Sequence, residues 1–456
     1  MAGVARSKVS AQVIITADWV LPAWDAAPIQ QGAVRVVGAH IDSVGPAKAL
    51  LAAHPTDEVR TCGSSVVLPG FVNAHTHLYG TLAHGIPVDP VDSFWSFLAD
   101  YWWPKVEDRL DHDMIVAATE WVCVEMLRTG TTSFYDIVEA PHALPGALLA
   151  QKEVVDRWGL RGILSFEATE RVSPANGELG LQENLDLIDA ALGDRTSLVS
   201  GAMCFHTTFT CPEPFIRRAF ELAADRNVFV HAHVNEGVHE GLWNERERSM
   251  RTFEWYESKG FLSDRFLASQ CVQISERERE LIAARGVRVS HMPMANGEVG
   301  GGIAPIPELL AAGVTVGLGS DGYINDQYEE MRSAFLLHKA RLLDPAAMPA
   351  RDVLRMATQG GADALGLSHV GRLEPGWTAD LQVVSLDMPT PVSAHNLADQ
   401  LVLWRRGSDV RDVMVGGRWR TLDGVVIAPP PFPRHVPARP TAWRNRPTRG
   451  RSPFRT

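Results

Sequence analysis

Two histidines one residue apart, His75 and His77, close the run Val66-Val67-Leu68-Pro69-Gly70-Phe71-Val72-Asn73-Ala74-His75-Thr76-His77. Side chains alternate between the two faces of a strand, so both imidazoles project from one face. A pair of neutral ring nitrogens aimed at one point suits a divalent ion such as Zn2+ or Fe2+. The spacing recurs at His231-Ala232-His233, with Glu236 three residues further on. There a third imidazole and a carboxylate could supply a ligand and a proton carrier together. Taken alone, the same residues read as a half-buried strand histidine beside a solvent-facing glutamate. A last carboxylate, Asp321, lies in Gly317-Leu318-Gly319-Ser320-Asp321-Gly322, which alone is a tight Asp-Gly turn.

These residues need a frame that brings distant stretches together. Eight β-like runs recur at roughly thirty-residue spacing: 66–77, 131–138, 162–168, 198–205, 228–233, 266–274, 287–292 and 314–321. Helical stretches over 113–128, 214–225, 276–285 and 306–312 separate several of them, and Gly286 and Gly313 fit the position just past a helix C-terminus. The pattern predicts an α/β fold, a (β/α)8 TIM-like barrel, in which reacting groups gather at the C-terminal strand ends. Polar residues at those ends are His75, His77, His206, His233 with Glu236, Gln270, His291 and Asp321. A barrel closes by pairing its last strand with its first. Asp321 is therefore expected beside His75 and His77, where it can ligate an ion or take a proton from water.

Short strand-like runs separated by turn residues appear before residue 65 and again from 381 to 427. They predict a small β-sandwich built from both termini. The expected organisation is 1–65 and 371–428 for that module, 66–370 for the barrel, and a Pro/Arg-rich tail over 429–456.

Composition narrows the function classes. With 456 residues, 45% hydrophobic and 21% charged, the chain has ordinary globular composition. A net charge of −11 argues against wrapping nucleic-acid phosphates, which requires a concentrated basic surface. Five scattered cysteines imply no disulfide framework and fit a reducing cytoplasm. No leader-like apolar segment or run of about 18 apolar residues marks export or a membrane span.

With Gly301-Gly302-Ile303-Ala304-Pro305-Ile306-Pro307-Glu308-Leu309-Leu310 and Gly371-Arg372-Leu373-Glu374-Pro375-Gly376-Trp377-Thr378-Ala379-Asp380-Leu381, the motifs above resemble the amidohydrolase superfamily. The resemblance is to its mononuclear branch of aminohydrolases and chlorohydrolases acting on N-heterocycles, and it spans nearly the whole chain. It implies one Zn2+ or Fe2+ held by His75, His77, His233 and Asp321. It also implies Glu236 as proton shuttle, His206 against the substrate, and a homodimer or higher homo-oligomer. The absence of a lysine at the end of the fourth strand speaks against a two-metal site.

Relatives often carry His-Cys-Val on the sixth strand where this chain reads Gln270-Cys271-Val272. Glutamine donates a hydrogen bond but does not titrate near neutral pH, so proton traffic falls on Glu236 and Asp321, with Gln270 placed near water and substrate. Trp95, Trp102 and Trp103 either wall the pocket, Trp103 foremost, or pack the core. The expected reaction is hydrolytic deamination of a small purine-, pterin-, pyrimidine- or triazine-like substrate. A second reading replaces the amine by chloride or another leaving group, or opens a cyclic amide. A third is a metal-binding scaffold or sensor without turnover.

Overall fold

The computed structural model describes residues 12–87, 91–322 and 324–429. The tail expected over 429–456 therefore lies almost wholly outside the described residues. Five strands open the chain: β1 (Gln12–Val20), β2 (Ile29–Val37), β3 (His40–Pro46), β4 (Glu58–Thr61) and β5 (Ser65–Pro69). Nine short parallel strands follow: β6 (Phe71–Thr76), β7 (Thr131–Val138), β8 (Arg161–Phe166), β9 (Val199–Gly201), β10 (Met203–Cys204), β11 (Val230–Val234), β12 (Phe266–Gln270), β13 (Arg288–His291) and β14 (Val316–Leu318). Four more close the chain: β15 (Leu381–Ser385), β16 (Val410–Val415), β17 (Arg418–Leu422) and β18 (Val425–Val426).

The architecture is mixed α/β with parallel sheets. One sheet runs β6-β7-β8-β9 and another β10-β11-β12-β13-β14. At one junction Ala168 bridges Phe205, and His206 N donates to Ala168 O at 3.1 Å. At the other Thr76 bridges Asp321, Ser320 N donates to His75 O at 2.9 Å, and His77 N donates to Asp321 O at 3.2 Å. The two sheets are thus hydrogen-bonded along both outer edges. The strands from both termini form a third sheet, β18-β17-β16-β15-β5-β1-β2-β3, with β4 on β1.

Two expected strands are each divided. The run 66–77 breaks at Gly70, with β5 in the terminal sheet between β15 and β1 and β6 in the parallel sheet. A Cβ at Gly70 would come 2.2 Å from the Thr132 side chain, so only glycine lets the strands approach this closely where the chain changes sheets. The run 198–205 breaks at Ala202, giving β9 and β10 to different sheets. In the first run both halves are buried, so sequence patterning sees one apolar stretch.

Helices lie where periodicity and capping chemistry put them. Asp111 accepts from Met114 N at 3.0 Å to start His112–Arg128. Ser275 and Glu278 form a reciprocal capping box at Glu276–Arg285, which ends at Gly286 with φ 67°. β7 reads Thr-Thr-Ser-Phe-Tyr-Asp-Ile-Val and is buried at every position, as a strand covered on both faces must be. Among the described residues no helix is long and apolar enough to cross a membrane, and all five cysteines are free.

Candidate metal and active site

His75 from β6, His77 just past its end, His233 from β11 and Asp321 just past β14 converge at one end of the parallel strands. One nitrogen of each histidine lies within 4.8 Å of the other two. Neighbouring groups fix which nitrogen is offered. His77 Nδ1 sits 2.7 Å from the Ile137 carbonyl, which can only accept, so the ring proton is there and Nε2 keeps its lone pair. His233 Nδ1 sits 2.6 Å from Glu167 Oε1, which turns its Nε2 inward by the same logic. The two Nε2 atoms face each other at 3.3 Å. Tetrahedral ligands with bonds of about 2.0–2.1 Å stand about 3.3–3.4 Å apart. His75 Nε2 is buried without a hydrogen-bond partner and lies 3.8 Å from Asp321 Oδ2, while His77 Nε2 lies 3.8 Å from Asp321 Oδ1.

Electrostatics agree with this donor set. Burial pushes His75 well below the ordinary histidine range and lowers His77, keeping both neutral, as ligands must be. Burial also opposes charge on His233, but Glu167 in contact, with Glu236 and Asp321 behind it, outweighs burial and raises it to about 9. The surroundings of His233 favour positive charge, which a metal ion supplies as well as a proton does. Three inward imidazoles and a carboxylate therefore fit a divalent cation.

Asp321 is held from two sides, by Gln270 Nε2 donating to Oδ2 at 2.7 Å and its neighbour Gly322 N donating to Oδ1 at 2.8 Å. Asn296 Nδ2 in turn donates to Gln270 Oε1. Both functions of the Gln270 amide are thereby used, and Gln270 stands behind Asp321, outside the cavity wall. Asn235, Gln270, Cys271 and Asp321 all have positive φ, at 52°, 73°, 50° and 59°.

His77, His233 and Asp321 line a cavity of about 50 Å³ together with Trp102, Trp103, Glu107, Glu167, His206 and Glu236. Burial raises Glu236 to about 8, with Asp321 adding to the effect and His233 opposing it. His206, lowered to about 3 by burial, is neutral and places Nδ1 2.9 Å from Thr210 Oγ1. Trp103 reaches the cavity and is also core: it is buried, with the Arg171 guanidinium 4.9 Å from its ring centre. Trp95 instead stacks on His239 at 4.3 Å. A larger cleft of about 930 Å³, bordered by Arg171, Phe209, Trp243, Arg248 and Trp255, lacks the converging donors. Ligand chemistry, not volume, identifies the site.

His291, expected at a strand end, does not join the site. Its Nε2 lies 3.1 Å from Nε2 of buried His338, so the ring packs toward the helix Gln327–Leu342. Other groups escaped sequence reasoning. Glu167, one residue past β8, holds His233. Near it, the carboxylates of Glu107 and Glu139 lie within 4.8 Å of Glu167 and of each other. Arg171 crosses this acidic group, its Nε donating to Glu139 Oε1 at 2.7 Å, and Tyr79 donates to Glu107 Oε1 at 2.9 Å. The only sequence signal was position: Glu139 directly follows the run 131–138, and Glu167 lies near the end of the run 162–168.

Comparison with known proteins gives concordant relationships. The amidohydrolase family model matches residues 66–420. A 5-methylthioadenosine/S-adenosylhomocysteine deaminase of Syntrophobacter fumaroxidans is 36% identical over 403 residues, covering 86% of this chain and 89% of the relative. A 5'-deoxyadenosine deaminase of Methanothermobacter thermautotrophicus is 33% identical over 417 residues, covering 90% and 93%. Among solved structures, an adenosine deaminase from Xanthomonas campestris with bound zinc superposes with a TM-score of 0.82 at 27% identity, covering 91% of this chain and 94% of that one.

Proposed function

The chain belongs to the amidohydrolase family, and from that premise we propose that it is a metal-dependent aminohydrolase releasing ammonia from the exocyclic amine of an adenine-type ring in a small nucleoside. The observation that carries this reading is the meeting of His75, His77, His233 and Asp321 at the mouth of a cavity that also contains Glu236. The deaminase names of the two relatives support the amine as leaving group over chloride, and the candidate acid Glu236 beside the ligands favours turnover over a passive scaffold. The hydrogen bonds between the two parallel sheets support one closed (β/α)8 barrel that begins at β6, with the module from both termini, expected over 1–65 and 371–428, extended through β5.

The four ligands would hold one ion, Zn2+ by analogy with the zinc-bound structural relative. When bound, such an ion supplies Lewis acidity that makes water a nucleophile near neutral pH. Asp321, oriented by Gln270 and Gly322, takes a proton from the attacking water. Burial beside another carboxylate raises Glu236 and so favours its protonated form, from which it can deliver a proton to the ring nitrogen next to the attacked carbon. As the carbon–oxygen bond forms, that nitrogen gains the proton; the carbon–nitrogen bond then breaks as the amine takes the proton held by Asp321 and departs as ammonia, and the new hydroxyl returns a proton to Glu236 as it becomes the ring carbonyl. His206 and Trp103 border the substrate.

The test is ammonia release by metal-loaded protein across adenine nucleosides, guanine, pterins, pyrimidines and chlorotriazines. Ammonia from an adenine nucleoside, lost in Glu236→Gln and Asp321→Asn, supports the reading. Halide release without ammonia, or turnover unchanged in both variants, overturns it.

A further inference from the structure

His77 and His233 each present their outer ring nitrogen to an oxygen acceptor, whereas His75 presents Nδ1 to another imidazole, His231 Nε2, at 3.2 Å. On its far side His231 Nδ1 lies 3.3 Å from Cys204 Sγ, and that thiol lies 3.6 Å from the Phe205 carbonyl oxygen. His75, His231 and Cys204 are fully buried. We propose that this His75–His231–Cys204 row is a proton-ordered relay whose role is to fix the tautomer and ring orientation of His75, making His231 a positioning residue for the metal centre.

The order follows from the donor inventory. A carbonyl oxygen only accepts, so the row starts with Cys204 S–H directed at Phe205 O. Cys204 sulfur then accepts from His231 Nδ1–H, His231 Nε2 is left as an acceptor, and His75 Nδ1 carries the proton donated to it. That leaves the lone pair of His75 on Nε2, the buried atom beside Asp321 that no other protein group engages. In the reverse order the proton would sit on His75 Nε2 and remove the lone pair from the ligand set. The relay therefore decides whether the third imidazole can bind a metal. Partners of this kind hold ligand histidines in most metal sites, and their loss costs about 10–100-fold in metal affinity.

The inference rests on the proposed ligand role of His75, and its test separates the two. Metal affinity of the purified chain is measured by competition with a chromophoric chelator for Zn2+, and the Co2+-substituted protein gives the ligand-field spectrum. Failure of the unmutated chain to bind either ion overturns the ligand reading itself. With binding established, His231→Leu, similar in bulk and without an acceptor, is expected to weaken affinity about 10–100-fold and alter the Co2+ spectrum. His231→Gln, which restores an amide oxygen as acceptor, is expected to recover most of that loss. Equal affinity in His231→Leu and the unmutated chain, or equal losses in the Leu and Gln variants, overturns the relay. Should His231→Leu fail to fold, Cys204→Ala carries the test: weaker binding than the unmutated chain supports the relay, and undiminished binding overturns it.

Discussion

The chain contains two His-x-His pairs on parallel strands, and they are used differently. Ring centres are 5.0 Å apart in the 75/77 pair and 5.4 Å apart in the 231/233 pair, so spacing does not distinguish them. The environment of the outward nitrogen does. His77 and His233 meet oxygen acceptors and His75 meets an imidazole, so all three can keep Nε2 facing the site. His231 is enclosed between His75 and Cys204, with both nitrogens engaged and none facing the cavity. The spacing of a motif nominates ligands; the hydrogen-bond partner of the second ring nitrogen selects among them.

Substitutions on the two sides of this contrast can break it. The largest loss is expected for His77→Ala or His233→Ala. Either removes a proposed ligand and should reduce turnover by on the order of 10³-fold or more, with metal content falling in elemental analysis; retained metal and activity would erase the distinction between the pairs. Next comes Glu236→Gln, expected to lower kcat by about 10²–10⁴-fold with metal content intact.

The same acid predicts a pH dependence. Burial raises Glu236 to about 8; an acid must be protonated to donate, so kcat/KM should fall as pH rises through that region. A bound cation nearby favours the carboxylate and moves this descending limb to lower pH. The limb should be absent from the residual activity of Glu236→Gln. A smaller effect is expected for Glu167→Gln, which keeps the shape beside His233 but removes the charge. Metal affinity should drop about 10–100-fold in chelator competition. Smallest for activity is His291→Phe: turnover should be unchanged, while the loss of the His338 contact lowers unfolding free energy by about 1–3 kcal/mol in a urea titration.

Much of this was legible from residues. The runs 131–138 and 276–285 coincide with β7 and the helix Glu276–Arg285, because β-branched patterning in one and Ser275, Glu278 and Gly286 in the other are local signals. The nearness of Asp321 to His75 and His77 followed from pairing the last parallel strand with the first, and the Thr76–Asp321 bridge makes that pairing. Glu167 was not legible: nothing in Phe166-Glu167-Ala168 separates a buried partner of histidine from a surface glutamate. Gln270 looked like a group facing water and substrate, yet Asn296, 26 positions away, turns its amide toward Asp321. His291 ends a strand as His233 does, and only the helix packed behind it explains why its ring faces elsewhere. Contacts between segments remote in sequence, which no local pattern encodes, account for each of these misses.

The backbone at Asp321, with φ at 59°, has a consequence for how this centre tolerates change. Glycine is the residue best suited to that conformation, whereas the proposed ligand role requires a carboxylate there. In Asp321→Gly the relieved backbone should offset part of the cost of leaving the buried Gln270 amide unpaired, so that Tm falls less than metal affinity does. A screen for thermal robustness alone would underrate that loss, since at this rim conformational comfort and chemical competence select different residues.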